Sequence, residues 1–153
     1  MRHEYLSVYN LVVESISVGG GKLVKKQIDF AVSKTSGSYS VFTISGGAVR
    51  AKILGLCDTN LVGAGAGALV SLGVPGALTN FIAATTASGV DADEFWVAAT
   101  AHAKQINTSA LLDKIINQAS VKVNVSGTSM TSGKVTFYAW WEPIKAGAKL
   151  IAA

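Results

Sequence analysis

One cysteine, Cys57, is present, so no disulfide can close within the chain, and a lone cysteine among small apolar residues reads as packing. Histidine is almost as scarce. His3 stands in the N-terminal stretch, and His102, in "ATAHAKQ", has no carboxylate or cysteine at metal-ligand spacing. Neither position suits a metal ligand or a general base. Serines are plentiful, yet none sits in a nucleophile-elbow context with the histidine and aspartate that would activate it. The acidic group Asp91, Asp93 and Glu94 lacks the spread of oxygen ligands and the glycine of a calcium loop, and reads as a polar turn. The expectation is a protein that is not an enzyme, with no catalytic residue, no metal and no cofactor.

Two glycine clusters also fail as phosphate sites. "SVGGGKL" would need glycine at Ile16 and serine or threonine at Leu23 to be a P-loop. "GAGAGA" loosely fits a dinucleotide fingerprint through Gly63, Gly65 and Ala68, but Gly73 and Pro75 cut short the helix that should carry the pyrophosphate.

Charge is the other shortage. Only 14% of the residues are Asp, Glu, Lys or Arg, while 50% are hydrophobic; an average soluble domain has about 25% charged residues. A monomer so poor in charge would struggle to remain unassociated, so the composition points to a subunit that hides surface in a homo-oligomer (dimer or trimer) or larger assembly. An Ala/Gly-rich monomer is the alternative. The formal net charge of +4 comes from scattered lysines, not from a run, which argues against a nucleic-acid arm and is compatible with an acidic partner surface. The start, "MRHEYLSVYN", has no long apolar run, so no secretory signal is expected. Residues 61–84 carry no charge, but Pro75, Asn80 and many glycines make them a poor membrane helix. The chain reads as soluble, without a membrane partner.

What is present is short alternating stretches. A length of 153 residues suits one domain with a real core. Residues 1–36 alternate loosely around the Gly19–Gly21 triplet, and "SKTSGS" at the boundary reads as a linker; 1–36 are read as an N-terminal arm or hairpin, with a β-sandwich domain over 37–153. "SYSVFTI" and "AVRAKILGL" alternate on either side of Gly46–Gly47, the pattern of a hairpin. "LVGAGAGALVSL" reads as a smooth-faced strand, and "LTNFIAATT" and "DEFWVAAT" as two more. "NTSALLDKIINQA" fits a helix capped by Ser109, or a strand at Lys114–Ile116 in a hairpin with "SVKVNVS"; its all-β surroundings favour the strand. In "GKVTFYAWW", Val135, Phe137, Ala139 and Trp141 face one way and Thr136, Tyr138 and Trp140 the other, so adjacency splits the tryptophans. Trp141 belongs with the core. Tyr138 and Trp140 are candidate interface residues, together with Leu11, Val13, Ile16 and Val18 of the arm. Short strands with Gly-rich turns and no long helix make the fold an all-β sandwich or barrel.

"VFTISGGAVRAKILGL", with the closing "SGKVTFYAWWEPIKAGAKL", resembles small β-rich virion structural proteins encoded among the head genes of tailed bacteriophages. Phe42 to Val49 match the "F-T-V-S-G-G-x-V" element of that family. Trp141, Pro143, Ile144, Gly147 and Ala148 match its closing aromatic, proline and "G-A" tail. The likeness runs over Tyr39 to Leu150 with a variable middle; "WWEP" departs from the arginine or other aromatic common before that proline, and the arm lies outside the pattern. The resemblance implies a jelly-roll-like sandwich acting as a capsid decoration, or cement, protein. Such a protein is made in the host cytoplasm and is located on the capsid surface of the virion, with the major capsid protein as partner. A head- or tail-fibre adhesin and a small ligand-binding β-barrel are the alternatives.

Overall fold

The computed structural model describes residues 21–107 and 110–153, where most of the alternating stretches are β-strands. In chain order the strands are β1 (Lys22–Asp29), β2 (Gly37–Ser45), β3 (Ala48–Gly63), β4 (Leu69–Val74), β5 (Ala77–Thr86), β6 (Phe95–Trp96), β7 (Lys114–Asn117), β8 (Ser120–Ser126), β9 (Met130–Pro143) and β10 (Lys149–Ala152). A 3-10 turn, Ala87–Gly89, follows β5. The strands form two five-stranded antiparallel sheets, an all-β sandwich. One runs β1-β9-β3-β6, with β7 also on β3; the other runs β10-β2-β8-β4-β5.

The pairing is nested. β4 and β5 pair around the Pro75–Gly76 turn; moving outward, β3 pairs with β6 and β7, β2 with β8, and β1 with β9. The chain is therefore one long hairpin folded over on itself, and the β3–β9 and β4–β8 ladders join its two arms. Apart from β4–β5, successive strands lie in opposite sheets or, as with β6 and β7, on the same neighbour.

This corrects the expected hairpin at Gly46–Gly47. β2 and β3 are both strands, but the turn carries the chain from one sheet to the other. Gly46 has φ 73° and Gly47 φ 138°, whereas the mirror-image type I turn of a tight hairpin needs about +60° and +90°. A side chain at Gly46 would also stand 2.5 Å from the Gly147 carbonyl oxygen. Residues 42–49 and 141–148 thus meet at one corner, where the amide of Ile144 donates to the Ala48 carbonyl at 2.9 Å.

Three further expectations are corrected. In "GAGAG" only Gly63 ends a strand, β3; residues 64–67 turn into β4, and the turn after β8 packs so closely on them that a Cβ at Gly127 would lie 1.9 Å from the Gly67 oxygen. "DEFWVAAT" contributes only the two residues of β6. Lys114–Asn117 is a strand, as favoured, yet it pairs with β3 and not with β8.

The core lies between the sheets. Val49, Ile53, Val135, Phe137 and Trp96 from one sheet meet Phe42, Leu72, Ile82, Val121 and Val123 from the other, all buried. A bulge between Ser40 and Phe42 turns both Val41 and Phe42 inward, which breaks the strict alternation read for that strand. Trp96 Nε1 donates to Thr85 Oγ1 at 2.9 Å, and Thr85 Oγ1 donates to the Ala83 carbonyl at 2.8 Å, so the buried indole N–H is satisfied across the core. Residues 22–29 of the expected arm form β1, bonded along its length to β9, and Ile28 and Phe30 enter the core. Leu11, Val13, Ile16 and Val18 lie outside the described residues.

Candidate functional site

β9 is flanked by β1 and β3, so its outward side chains form the middle row of a three-strand face. Alternation holds along it: Val135, Phe137, Ala139 and Trp141 are buried, while Thr136, Tyr138 and Trp140 are half-buried on the outer side. The two tryptophans part as the period of two requires.

Register builds the rest of the face. Trp140 stands between Leu23 and Lys52; Tyr138 stands between Lys25 and Leu54; Thr136 stands between Gln27 and Leu56. The Tyr138 and Trp140 rings stack with centroids 6.5 Å apart and planes at 24°. Leu23 is 53% exposed, and Ile115, level with Arg50 on β7, is 68% exposed. Leu23 and the two rings form an open stripe, and Ile115 lies beyond Arg50 at its far side.

The two ends of the stripe are polar. At one end Asp58 accepts from Thr136 Oγ1 at 2.6 Å and from Gln27 Nε2 at 3.0 Å. At the other, Arg50 donates from Nε to Asp113 at 2.8 Å and from Nη1 to Glu142 at 3.1 Å. That hydrogen bond and the positive charge hold the Asp113 carboxyl below its ordinary range, and the same partners favour the protonated guanidinium. Lys25 and Lys52, flanking the aromatic pair, form no salt bridge among the described residues. The depression beside Trp140, lined by Arg50, Lys52, Asp113 and Glu142, holds about 10 Å³, room for about one water. A depression this small suits a macromolecular surface better than a small ligand.

The outer face of the opposite sheet has a different chemistry. Ser38, Ser40, Lys122 and Asn124 occupy its centre, with Ser38 donating to Asn124 at 3.0 Å. Apolar stripe and polar face therefore lie on opposite sides of one sandwich.

Sequence reading named Tyr138 and Trp140 but missed Leu23, Lys25, Lys52 and Leu54, which join them only through strand pairing. The alternation of "KLVKK" carried the signal for the first two. The acidic residues at 91–94 form a turn in which Glu94 accepts from the Asp91 amide at 2.9 Å, and Asp93 has φ 66°. His102 makes a two-bond bridge to Phe95 through its main chain. Among the described residues no group of three or more His, Cys, Asp or Glu could hold a metal ion, and no helix is long and apolar enough to cross a membrane. Compared with family models, curated proteins and solved structures, the chain matches none.

Proposed function

We propose that this chain is a non-enzymatic virion structural protein of a tailed bacteriophage, a decoration or cement protein that binds the outer surface of the major capsid shell. The observation that carries the reading is the one-sided stripe of Leu23, Tyr138 and Trp140, flanked by Lys25 and Lys52, which form no salt bridge among the described residues. Half-buried aromatic side chains of this kind, apolar in the ring and polar at the tip, are enriched where proteins meet. The two segments that resemble phage head proteins meet at one corner of the fold, which adds to the reading.

The nested strand order supports a jelly roll. β1-β9-β3-β6/β7 against β2-β8-β4-β5 is the order produced when one long hairpin is rolled into two sheets, with β10 added at an edge. A rigid sandwich of this kind needs no active site to act as a staple. It binds the assembled shell and not its free subunits, so each bound copy stabilises the assembled state by mass action. In this reading the subunit is homo-oligomeric, is made in the host cytoplasm and resides on the capsid surface, with neither nucleic acid nor membrane as partner.

The test uses shells from a phage lacking this gene, mixed with the purified chain and pelleted. The chain should sediment with the shells, and Trp140→Ala should weaken binding by about tenfold or more, as for an interface hot spot. Failure of the wild-type chain to bind at any concentration, or unimpaired binding by both Trp140→Ala and Leu23→Asp, would refute the reading.

A further inference from the structure

The stripe carries a charge pattern with a definite spacing. Lys25 is level with Tyr138 and Lys52 with Trp140, on opposite sides of β9 and offset by two residues along it. Two strand spacings across and two residues along place their Cα atoms about 12 Å apart, with the stacked rings between them. Neither lysine has a carboxylate in salt-bridge range among the described residues, whereas Arg50 is already committed to Asp113 and Glu142.

We infer that this face takes an extended acidic segment of a partner protein, with two carboxylates four residues apart and an apolar side chain midway between them. In an extended strand, residues four apart lie about 13 Å from one another on the same side, and the residue midway faces the same way. One carboxylate then meets Lys25, the other meets Lys52, and the central apolar group lies on Tyr138 and Trp140. A second copy of this chain cannot supply such a segment. Its acidic residues are Glu4, Glu14, Asp29, Asp58, Asp91, Asp93, Glu94, Asp113 and Glu142, and no two of them are four apart. Two copies face to face would also oppose lysine to lysine. The inference rests on the reading that this face docks a protein, and it specifies the chemistry of that protein.

The experiment needs no shells, so its failure and that of the docking reading are separable. The full-length chain, labelled with 15N, is titrated with the blocked peptide Thr-Glu-Thr-Leu-Thr-Glu-Thr and with its Gln-for-Glu counterpart. The Glu peptide should shift the amides of Leu23, Lys25 and Lys52 and the Trp140 indole, binding about tenfold tighter than the Gln peptide at low salt. Raising the salt should remove most of that difference. The double variant Lys25→Glu/Lys52→Glu should lose the preference and gain one for the peptide with lysine at both Glu positions. Equal titration by the Glu and Gln peptides, shifts centred elsewhere, or tighter binding of a thymidine hexanucleotide to the same residues would each overturn the inference.

Discussion

Replacing Trp141 and Trp140 one at a time by alanine separates the two faces of β9. Trp141 is 6% exposed on the inner side, and Lys22 Nζ lies 5.2 Å from the centre of its ring. Burying a tryptophan removes about 150–250 Å² from water, which at about 25 cal/mol per Å² is roughly 4–6 kcal/mol as an upper bound. Loss of the lysine contact adds about 0.5–1 kcal/mol. Against this, the Trp141 indole N–H is buried with no hydrogen-bond partner among the described residues, and removing such a group returns about 1–3 kcal/mol. The net loss for Trp141→Ala is about 3–5 kcal/mol, in line with other truncations of large core aromatics. For a domain of this size that lowers Tm by about 10 °C. Trp140→Ala, on the open stripe, should cost about 1 kcal/mol or less. Trp141→Phe, which keeps a ring and discards the buried N–H, should fall between wild type and Trp141→Ala. Thermal and urea melts of the isolated subunit decide the matter. If Trp140→Ala destabilises more than Trp141→Ala, the assignment of faces is wrong.

The other predictions concern the core, the thiol and the N-terminal boundary. Thr85→Val strands the Trp96 indole N–H in the core and should cost about 1–3 kcal/mol in a urea melt; a neutral result would mean that the bond adds nothing. Burial pushes the Cys57 thiol up to about 11 from an ordinary value near 9, so native protein should resist thiol reagents at pH 8 while unfolded protein reacts. Because that folded value is raised, the contribution of the thiol to stability is complete below about pH 9 and is lost as pH climbs towards 11. Cys57→Ala should remove that part of the slope, and identical slopes would show the thiol to be unperturbed. Deleting residues 1–20 should leave the melt unchanged, because β1 begins at Lys22, while deleting 1–36 removes β1, Ile28 and Phe30 and should prevent folding. If the arm makes the contact with a neighbour, the shorter deletion folds but binds shells poorly; binding equal to wild type would show that the arm is dispensable.

The parts of this fold that were readable in the chain are those set by local periodicity. Val135 to Trp141 alternate strictly, so the buried and open sides of β9 follow from the spacing alone. Partner choice does not follow from spacing. Alternation on both sides of Gly46–Gly47 is the same whether the turn closes a hairpin or arches between sheets; the difference lies in φ angles and in the approach of Gly147, a residue about a hundred positions away. "GAGAG" was ambiguous in a related way, since residues that make a smooth strand also make a turn tight enough for another turn to pack on it. The face was half readable. Tyr138 and Trp140 show in β9 itself, while Leu23, Lys25 and Lys52 become part of it only once β1 and β3 are placed on either side.

The central claim concerns where the protein resides and in what number. Quantitative mass spectrometry of purified phage particles, counting this chain against the major capsid protein, tests the proposed decoration role. A decoration protein should be present in hundreds of copies per particle, in fixed ratio to the shell subunit. A handful of copies would indicate a fibre-type adhesin, and none at all would contradict a virion role.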